Sequence, residues 1–416
     1  MRLLIATPSH YLHGGAERIM EALARELPAR GIEVVFALAK GARFHDPERF
    51  RATYPFIRSV DADGTSGTAY GRRRGLRRAI LEADPDVVLN VRLFDAYPLC
   101  SALKLEGHRL RLLTTVQAFE PEYFVDLKRY EDFVDGVMTS GELIARAIRR
   151  FTSIEHVLSI PGGIAPPRRP RVAHDGPLRL GYVGRIEQVQ KRIMDLPLLA
   201  AELERRGVPF TIRVAGSGSA ADELRAALPR MQFDGWVSHD DLYDRVYPEL
   251  DVFVHFAEYE GLTIAPREAM VHGVVPVVSR FAGAEDFDDG VNALRFPIGD
   301  VGAAADAIER LHRDRALLER LSAAARTSQT GVRSESGAID AWESLIRDAP
   351  RRAGARLPVA PRDSGLLTRL GVPDAVAELV RKVRKRVHSE PGAEWPHWSG
   401  MHDEWLERDL REWVKS

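Results

Sequence analysis

Short apolar runs alternate with longer amphipathic segments along most of the chain, beginning with Leu3 to Ala6, a run of strand length. The following "GGAERIMEALARELPARG" sets Ile19, Leu23 and Leu27 four residues apart, the spacing of one helix face, and the helix is predicted to end near Gly31. "IEVVFALA", "DVVLNV", "RLLTTV" and "DGVMT" predict further strands, and this first set runs to about Pro161. Strand and helix in alternation call for a parallel sheet covered by helices on both faces.

Between Pro161 and Pro177 the segment "PGGIAPPRRPRVAHDGP" holds five prolines and three glycines, so it continues neither a helix nor a central strand and reads as an interdomain linker. Alternation then restarts, with strands predicted in "LRLGYVG", "FTIRVAG", "MQFDGW", "DVFVHF" and "VVPVVS" and helices over Leu198 to Arg206 and Ala220 to Ala227. After about Asp348 comes the basic, proline-rich "APRRAGARLPVAPRDSG" and then a tail unlike either set. The division is a domain at 1–165, a second at 176–348, and a linker with a helical tail at 349–416. Two doubly wound α/β domains in succession are expected to face a cleft lined by the carboxyl ends of their strands.

At 416 residues either domain can bury a full core, and a formal charge of −1 gives no global field toward nucleic acid. Cys100 is the single cysteine, which suits a cytoplasmic location and reads as a small core residue. The opening apolar run is too short for a signal peptide or a membrane span.

The first chemical candidate is "RVAGSGSAADELRAALP". Gly216, Gly218 and Ala221 fit the dinucleotide pattern G-x-G-x-x-A, which by itself points to an NAD-dependent oxidoreductase. That fingerprint belongs to the first strand-to-helix turn of a dinucleotide fold, however, and the first turn here is "YVGRIEQVQKR". Arg185 and Lys191 in that turn supply a guanidinium fork and an ammonium, a pair suited to a diphosphate. "HFAEYEGLTIAPREAMVHG" places Glu260 and Glu268 eight residues apart. Pro266 marks where a helix could start, so Glu268 is expected in its first turn and Glu260 on the preceding loop. The amides of Gly261, Leu262, Thr263 and Ile264 would form an anion site at the helix start, beside carboxylates able to accept from sugar or ribose hydroxyls.

Together, "HGGAER", "GRIEQVQKR", "VAGSGS", "FDGWVSHDDL" and "EYEGLTIAPREAM" resemble family 4 of the retaining glycosyltransferases, with the GT-B fold, over residues 1 to about 330. The resemblance implies two Rossmann-like domains, an acceptor domain followed by a donor domain, and a hexosyltransferase-type transfer of sugar from a UDP- or GDP-sugar with retention of configuration. It implies no metal and no other cofactor. By resemblance Arg185 and Lys191 bind the donor diphosphate, Glu260 with residues 261–264 orients the donor sugar, and Glu268 holds the ribose. Gly216 and Gly218 lie beside the nucleotide, and Gly14 and Gly15 let backbone approach phosphate and acceptor. Gln117 stands where the family often has a histidine near the donor sugar, and Gly162-Gly163 replaces the usual Asn-Gly. Two alternatives stay open: the oxidoreductase, and a non-catalytic sugar-nucleotide binding protein. The acceptor is unidentified, within glycan, glycolipid or glycosylated-metabolite synthesis.

Other positions carry weaker expectations. His10 and His13 flank the first turn and reach either the acceptor or solvent. Ser238-His239-Asp240 reads as a capped turn, because adjacent residues cannot adopt triad geometry. The cations of "GRRRGLRR" begin a helix and are either solvated or directed at an anionic acceptor. In the tail, Val376, Leu379, Val380, Val383 and Val387 form one stripe among basic residues, followed by Trp395, Trp398, Trp405 and Trp413. A peripheral contact with the inner membrane face and packing on the catalytic domains or a second subunit are the two readings of residues 373–416.

Overall fold

The computed structural model describes residues 1–8, 15–39, 46–62, 69–261, 263–281, 283–358, 372–373, 376, 380 and 402–415, and the chain forms two compact units. The first comprises Met1–Ser140, Ile144–Ile160 and Ile339–Ser416, the second Gly141–Leu143 and Pro161–Ala338.

The strands of the first unit are β1 (Arg2–Pro8), β2 (Glu33–Ala39), β3 (Arg58–Asp61), β4 (Val87–Asn90), β5 (Arg111–Val116), β6 (Gly136–Thr139) and β7 (Val157–Ser159). They pair in parallel in the order β3-β2-β1-β4-β5-β6-β7. The predicted strands are present; β3 and β7 were not foreseen, because a polar edge strand and a three-residue strand show no apolar periodicity. Ile19, Leu23 and Leu27 are buried, as their spacing requires. Cys100 sits in the core, where burial pushes its thiol up to about 12.

Among the cations of "GRRRGLRR", Arg74 and Arg78 are exposed, as the solvated reading expects, but Arg72 and Arg73 follow neither expectation. They lie on the helix Ala69–Ala83, and Arg72 Nε and Arg73 Nε bind the buried Asp95 carboxylate at 2.8 and 3.1 Å. A carboxylate removed from water requires such donors.

From Ile339 the chain belongs to the first unit, although the sequence pattern kept it with the second domain to 348. Periodicity shows that a helix has an apolar stripe, not which surface covers it. Lys104, itself buried, ties the next stretch down by donating to Phe133 O at 2.6 Å, Asp135 Oδ2 at 2.5 Å and Arg352 O at 2.9 Å. The tail helix Glu404–Lys415 packs inward: Leu410 is fully buried in the core, and Trp413 stacks on Phe119 with ring centroids 6.5 Å apart and meets Phe151 edge-on. Trp405 faces solvent. Trp395, Trp398 and nearly all of the basic stripe lie outside the described residues. Among the described residues, no helix is long and apolar enough to cross a membrane.

The second unit has β8 (Leu178–Val183), β9 (Phe210–Ala215), β10 (Gln232–Gly235), β11 (Val252–His255), β12 (Val275–Ser279) and β13 (Leu294–Phe296), all parallel in the order β10-β9-β8-β11-β12-β13. β13, at three residues, escaped prediction. The chain's progression reverses between β8 and β11, and in open sheets ligands bind outside the carboxyl ends of the strands at such a point.

The proline-rich segment breaks regular structure as predicted but is fastened to the second unit. Arg171, almost fully buried, donates to Asp251 at 2.9 Å, where Arg179 and His174 also bind at 2.8 Å. Burial opposes ionisation of Asp251, but hydrogen bonds from Arg179 and His174 outweigh it and hold the pKa at about 2. A carboxyl depressed by folding contributes stability above its unfolded value of 3.8, and the contribution is lost as pH falls from there toward 2. Asp251→Asn is therefore expected to be less stable at neutral pH and to lose less stability between about pH 4 and pH 2. Urea midpoints across that range measure it, and an unchanged acid limb would place the sensitivity elsewhere.

Candidate active site

At the carboxyl end of β8, Gly184 turns the chain with φ +152°, and the loop it opens lies flat against the loop after β9. Gly184 N donates to Ala215 O at 3.0 Å, Ile186 N to Ser217 O at 2.9 Å and Ala220 N to Ile186 O at 3.0 Å. A Cβ at Gly216 would stand 1.9 Å from Gly184 O, and one at Gly218 2.3 Å from Ile186 O. Both glycines are thus required by backbone packed on backbone, a reason the dinucleotide pattern does not contain.

The β8 loop is joined to the loop after β11. Glu258 N donates to Gln190 O at 3.0 Å, and Gln190 Nε2 to Tyr259 O at 3.2 Å. Arg185, largely exposed, donates to Gln190 Oε1 at 2.5 Å and to Glu187 at 2.9 Å. This clamp brings Lys191 to Glu260, whose Oε1 accepts from Lys191 Nζ and from His255 Nε2, the latter at 2.8 Å. Glu260 is only 6% exposed, so it is not the solvated loop residue that a lone glutamate would suggest. Burial alone would raise its pKa, but the hydrogen bonds from His255 and Lys191 and the Lys191 charge draw it below the usual carboxylate range, leaving an anion at neutral pH. Burial pushes the His255 pKa down. The ring is therefore neutral, and since Nε2 faces a carboxylate it carries the proton.

The helix carrying Glu268 runs Ile264–His272, so Glu268 is its fifth residue, just past the first turn and two positions deeper than a start at Pro266 implies. Pro266 sits inside the first turn, where its missing N–H has no intrahelical acceptor to lose. Glu268 is buried apart from the Lys191–Glu260 pair: Tyr247 OH donates to its Oε2 at 2.7 Å, and His239 Nε2 lies 3.3 Å from its Oε1. Ser238 caps a turn by accepting from Asp241 N, as its sequence suggested, yet the same turn delivers His239 to Glu268. Thr263, which precedes the helix, has a buried hydroxyl with no hydrogen-bond partner among the described residues. Arg267 is almost fully buried, bound to Pro161 O and to Gln329 Oε1 at 3.1 Å, and burial lowers its pKa to about 10.

Of the remaining candidates, Gly261 and Ile264 flank this turn and Gly15 opens the helix Gly15–Glu26. His10, His13, Gly14 and Leu262 lie outside the described residues. Gln117 belongs to the first unit; its carbonyl accepts from Ser140 Oγ at 2.9 Å and its buried amide nitrogen has no partner among the described residues. Among the described residues, no three His, Cys, Asp or Glu side chains gather as metal ligands. His255, Gln190, His239 and Tyr247 were not singled out as site residues by sequence reasoning. Only His255, a lone imidazole closing the apolar run "DVFVHF", left a signal there.

The family model described as "Glycosyltransferase Family 4" matches residues 13–166, and that described as "Glycosyl transferases group 1" matches residues 177–314. A GDP-mannose-dependent alpha-mannosyltransferase of Mycobacterium tuberculosis is 30% identical over 165 residues, 39% of this chain and 41% of its own. An alpha-D-kanosaminyltransferase of Streptomyces kanamyceticus is 31% identical over 182 residues, 42% of this chain and 46% of its own. The matches thus span less than half the length of these curated relatives. Among solved structures, the lipopolysaccharide outer core galactosyltransferase WaaB in its apo form superposes with a TM-score of 0.66 at 16% identity, over 83% of this chain and 99% of that one. Anabaena Alr3699/HepE in complex with UDP and glucose gives 0.65 at 16% identity, over 83% of this chain and 98% of that one. Two parallel sheets of Rossmann order, with family matches along both units, place the chain among the group 1, family 4-type glycosyltransferases of GT-B fold.

Proposed function

We propose that this protein transfers a sugar from a UDP- or GDP-sugar to an acceptor hydroxyl with retention of configuration. The observation that carries the reading is the pairing of Lys191 with the buried Glu260, joined through Gln190 to Arg185, at the strand ends where the second sheet reverses. In this reading Arg185 and Lys191 bind the donor diphosphate. As the bond from the anomeric carbon to the phosphate oxygen breaks, its electron pair passes to the diphosphate, and those cations stabilise the charge that builds there. The acceptor oxygen bonds to the anomeric carbon from the face the diphosphate leaves, and the acceptor proton passes to the departing phosphate oxygen. Glu260, an anion at neutral pH, accepts from donor-sugar hydroxyls beside the backbone of Gly261 to Ile264. Glu268, oriented by Tyr247, accepts from the ribose. Gln117, His10 and His13 are the residues proposed toward acceptor or donor sugar, and Gly14 with Gly15 for close backbone approach. The names of the relatives support a nucleotide-sugar donor, since one is GDP-mannose-dependent and another was solved with UDP.

The test is a thermal-shift series. UDP or GDP at a hundred times its dissociation constant should stabilise the protein by about 2.7 kcal/mol, and NAD or NADP should not. A shift with NAD and none with either nucleoside diphosphate would return the assignment to an oxidoreductase.

A further inference from the structure

His255 closes β11 with its ring buried between apolar neighbours, 5.6 Å from the Phe281 ring and 6.2 Å from that of Phe253. Its Nδ1 is buried and has no hydrogen-bond partner among the described residues. Among the described residues Nε2 has one hydrogen-bond partner, Glu260 Oε1 at 2.8 Å, the same oxygen that takes the Lys191 ammonium. The carboxylate therefore has two donors of different kinds. Lys191 is a charge at the end of a flexible stem, whereas the imidazole is a neutral N–H fixed by packing. In the proposed reaction Lys191 also serves the donor diphosphate. Drawing it from Glu260 leaves a buried anion with less compensation, and an uncompensated buried charge is costly.

We propose that His255 is a positioning residue that holds Glu260 by a permanent neutral hydrogen bond, so that Lys191 is released to the diphosphate without leaving the buried carboxylate unpaired. The inference rests on the proposed nucleotide-sugar reading. It gives His255 no contact with donor or acceptor; its effect on diphosphate binding passes wholly through Glu260.

The experiment is a double-mutant cycle in the full-length chain, read as UDP and GDP affinity by calorimetry. His255→Leu should bind the diphosphate about tenfold more weakly, the effect of losing one hydrogen bond to a charged group. His255→Gln, which keeps an N–H donor of similar reach, should restore binding. With Glu260→Gln in place there is no anion to compensate, so adding His255→Leu should change affinity no further. A leucine variant that binds like the wild type, a glutamine variant as weak as leucine, or a loss undiminished beside Gln at 260 would each overturn the proposal. The tautomer gives a second measurement that does not depend on how the leucine variant folds. The ¹⁵N shifts of His255, assigned by comparison with His255→Gln, should show a neutral Nε2–H ring with and without UDP, and an imidazolium or an Nδ1–H ring would overturn the proposal. A wild-type protein that binds neither UDP nor GDP would remove the proposed function and this inference together, whereas normal binding with an inert His255 removes only the inference.

Discussion

Lys191→Ala is expected to reduce release of nucleoside diphosphate from the sugar donor by about a hundredfold to a thousandfold, the usual consequence of removing one charge-stabilising donor from a reacting group. The effect should fall on turnover more than on donor affinity, because negative charge on the diphosphate grows as the sugar bond breaks. The geometry adds a second consequence. Glu260 shares its Oε1 between Lys191 and His255, so the alanine variant leaves a buried carboxylate with one neutral donor. Its pKa should climb out of the depressed range that Lys191 helps maintain, so as pH falls the variant should lose donor binding at a higher pH than the wild type does, the protonated carboxyl no longer accepting from sugar hydroxyls in the same way. Lys191→Arg keeps the charge but presents a planar fork in place of a compact ammonium, so partial activity is expected. Steady-state kinetics on folded variants, with melting temperatures as control, decide the matter. A folded alanine variant with undiminished turnover would show the pair to be structural.

Why the glutamates were legible and their surroundings were not follows from what each depends on. Glu260 and Glu268 sit in a local string whose glycine, proline and spacing are read directly, and Arg185 with Lys191 occupy one loop. The joining of that loop to Glu260 runs through Gln190 and the backbone of 258 and 259, across nearly seventy residues of chain. No periodicity encodes such a contact. Gly216 and Gly218 were visible as glycines, yet the reason for them is a neighbouring backbone that only the folded sheet brings near. Pro266 suggests a helix start, but any position of the first turn tolerates proline, and the helix begins two residues before it. His239 and Tyr247 reach Glu268 from a turn more than twenty residues upstream, a contact written only in three dimensions.

The fold divides similarly. Long apolar runs became strands where expected, and the edge strands β3, β7 and β13 were missed because they are short or polar. Arg72 and Arg73 looked like surface cations because Asp95, their acceptor, stands on another element. The tail showed an amphipathic character that fits lipid or protein equally well; for residues 404–415 the buried Leu410 distinguishes them.

That helix leads to the second large effect. Leu410 is fully buried, and Leu406 and Trp413 pack against the same core, with Trp413 on Phe119 and Phe151 and the Arg146 guanidinium 6.0 Å from its ring. Leu410→Ala in a rigid core would cost about 2–5 kcal/mol. The helix is terminal, however, and can leave its seat, so the free energy of docking caps the loss. Leu410→Asp cannot be accommodated in that seat and should undock the helix, giving the same fall in melting temperature as deleting residues 402–416. Alanine should fall between wild type and that limit. Nucleotide binding should be spared in all three variants, because Arg185, Lys191, Glu260 and Glu268 belong to the second unit. Calorimetric melting alongside UDP and GDP titration measures both quantities. A truncated protein that melts like its parent would contradict the packing of Leu410, and one that folds but loses the diphosphate would show that the tail serves the donor site.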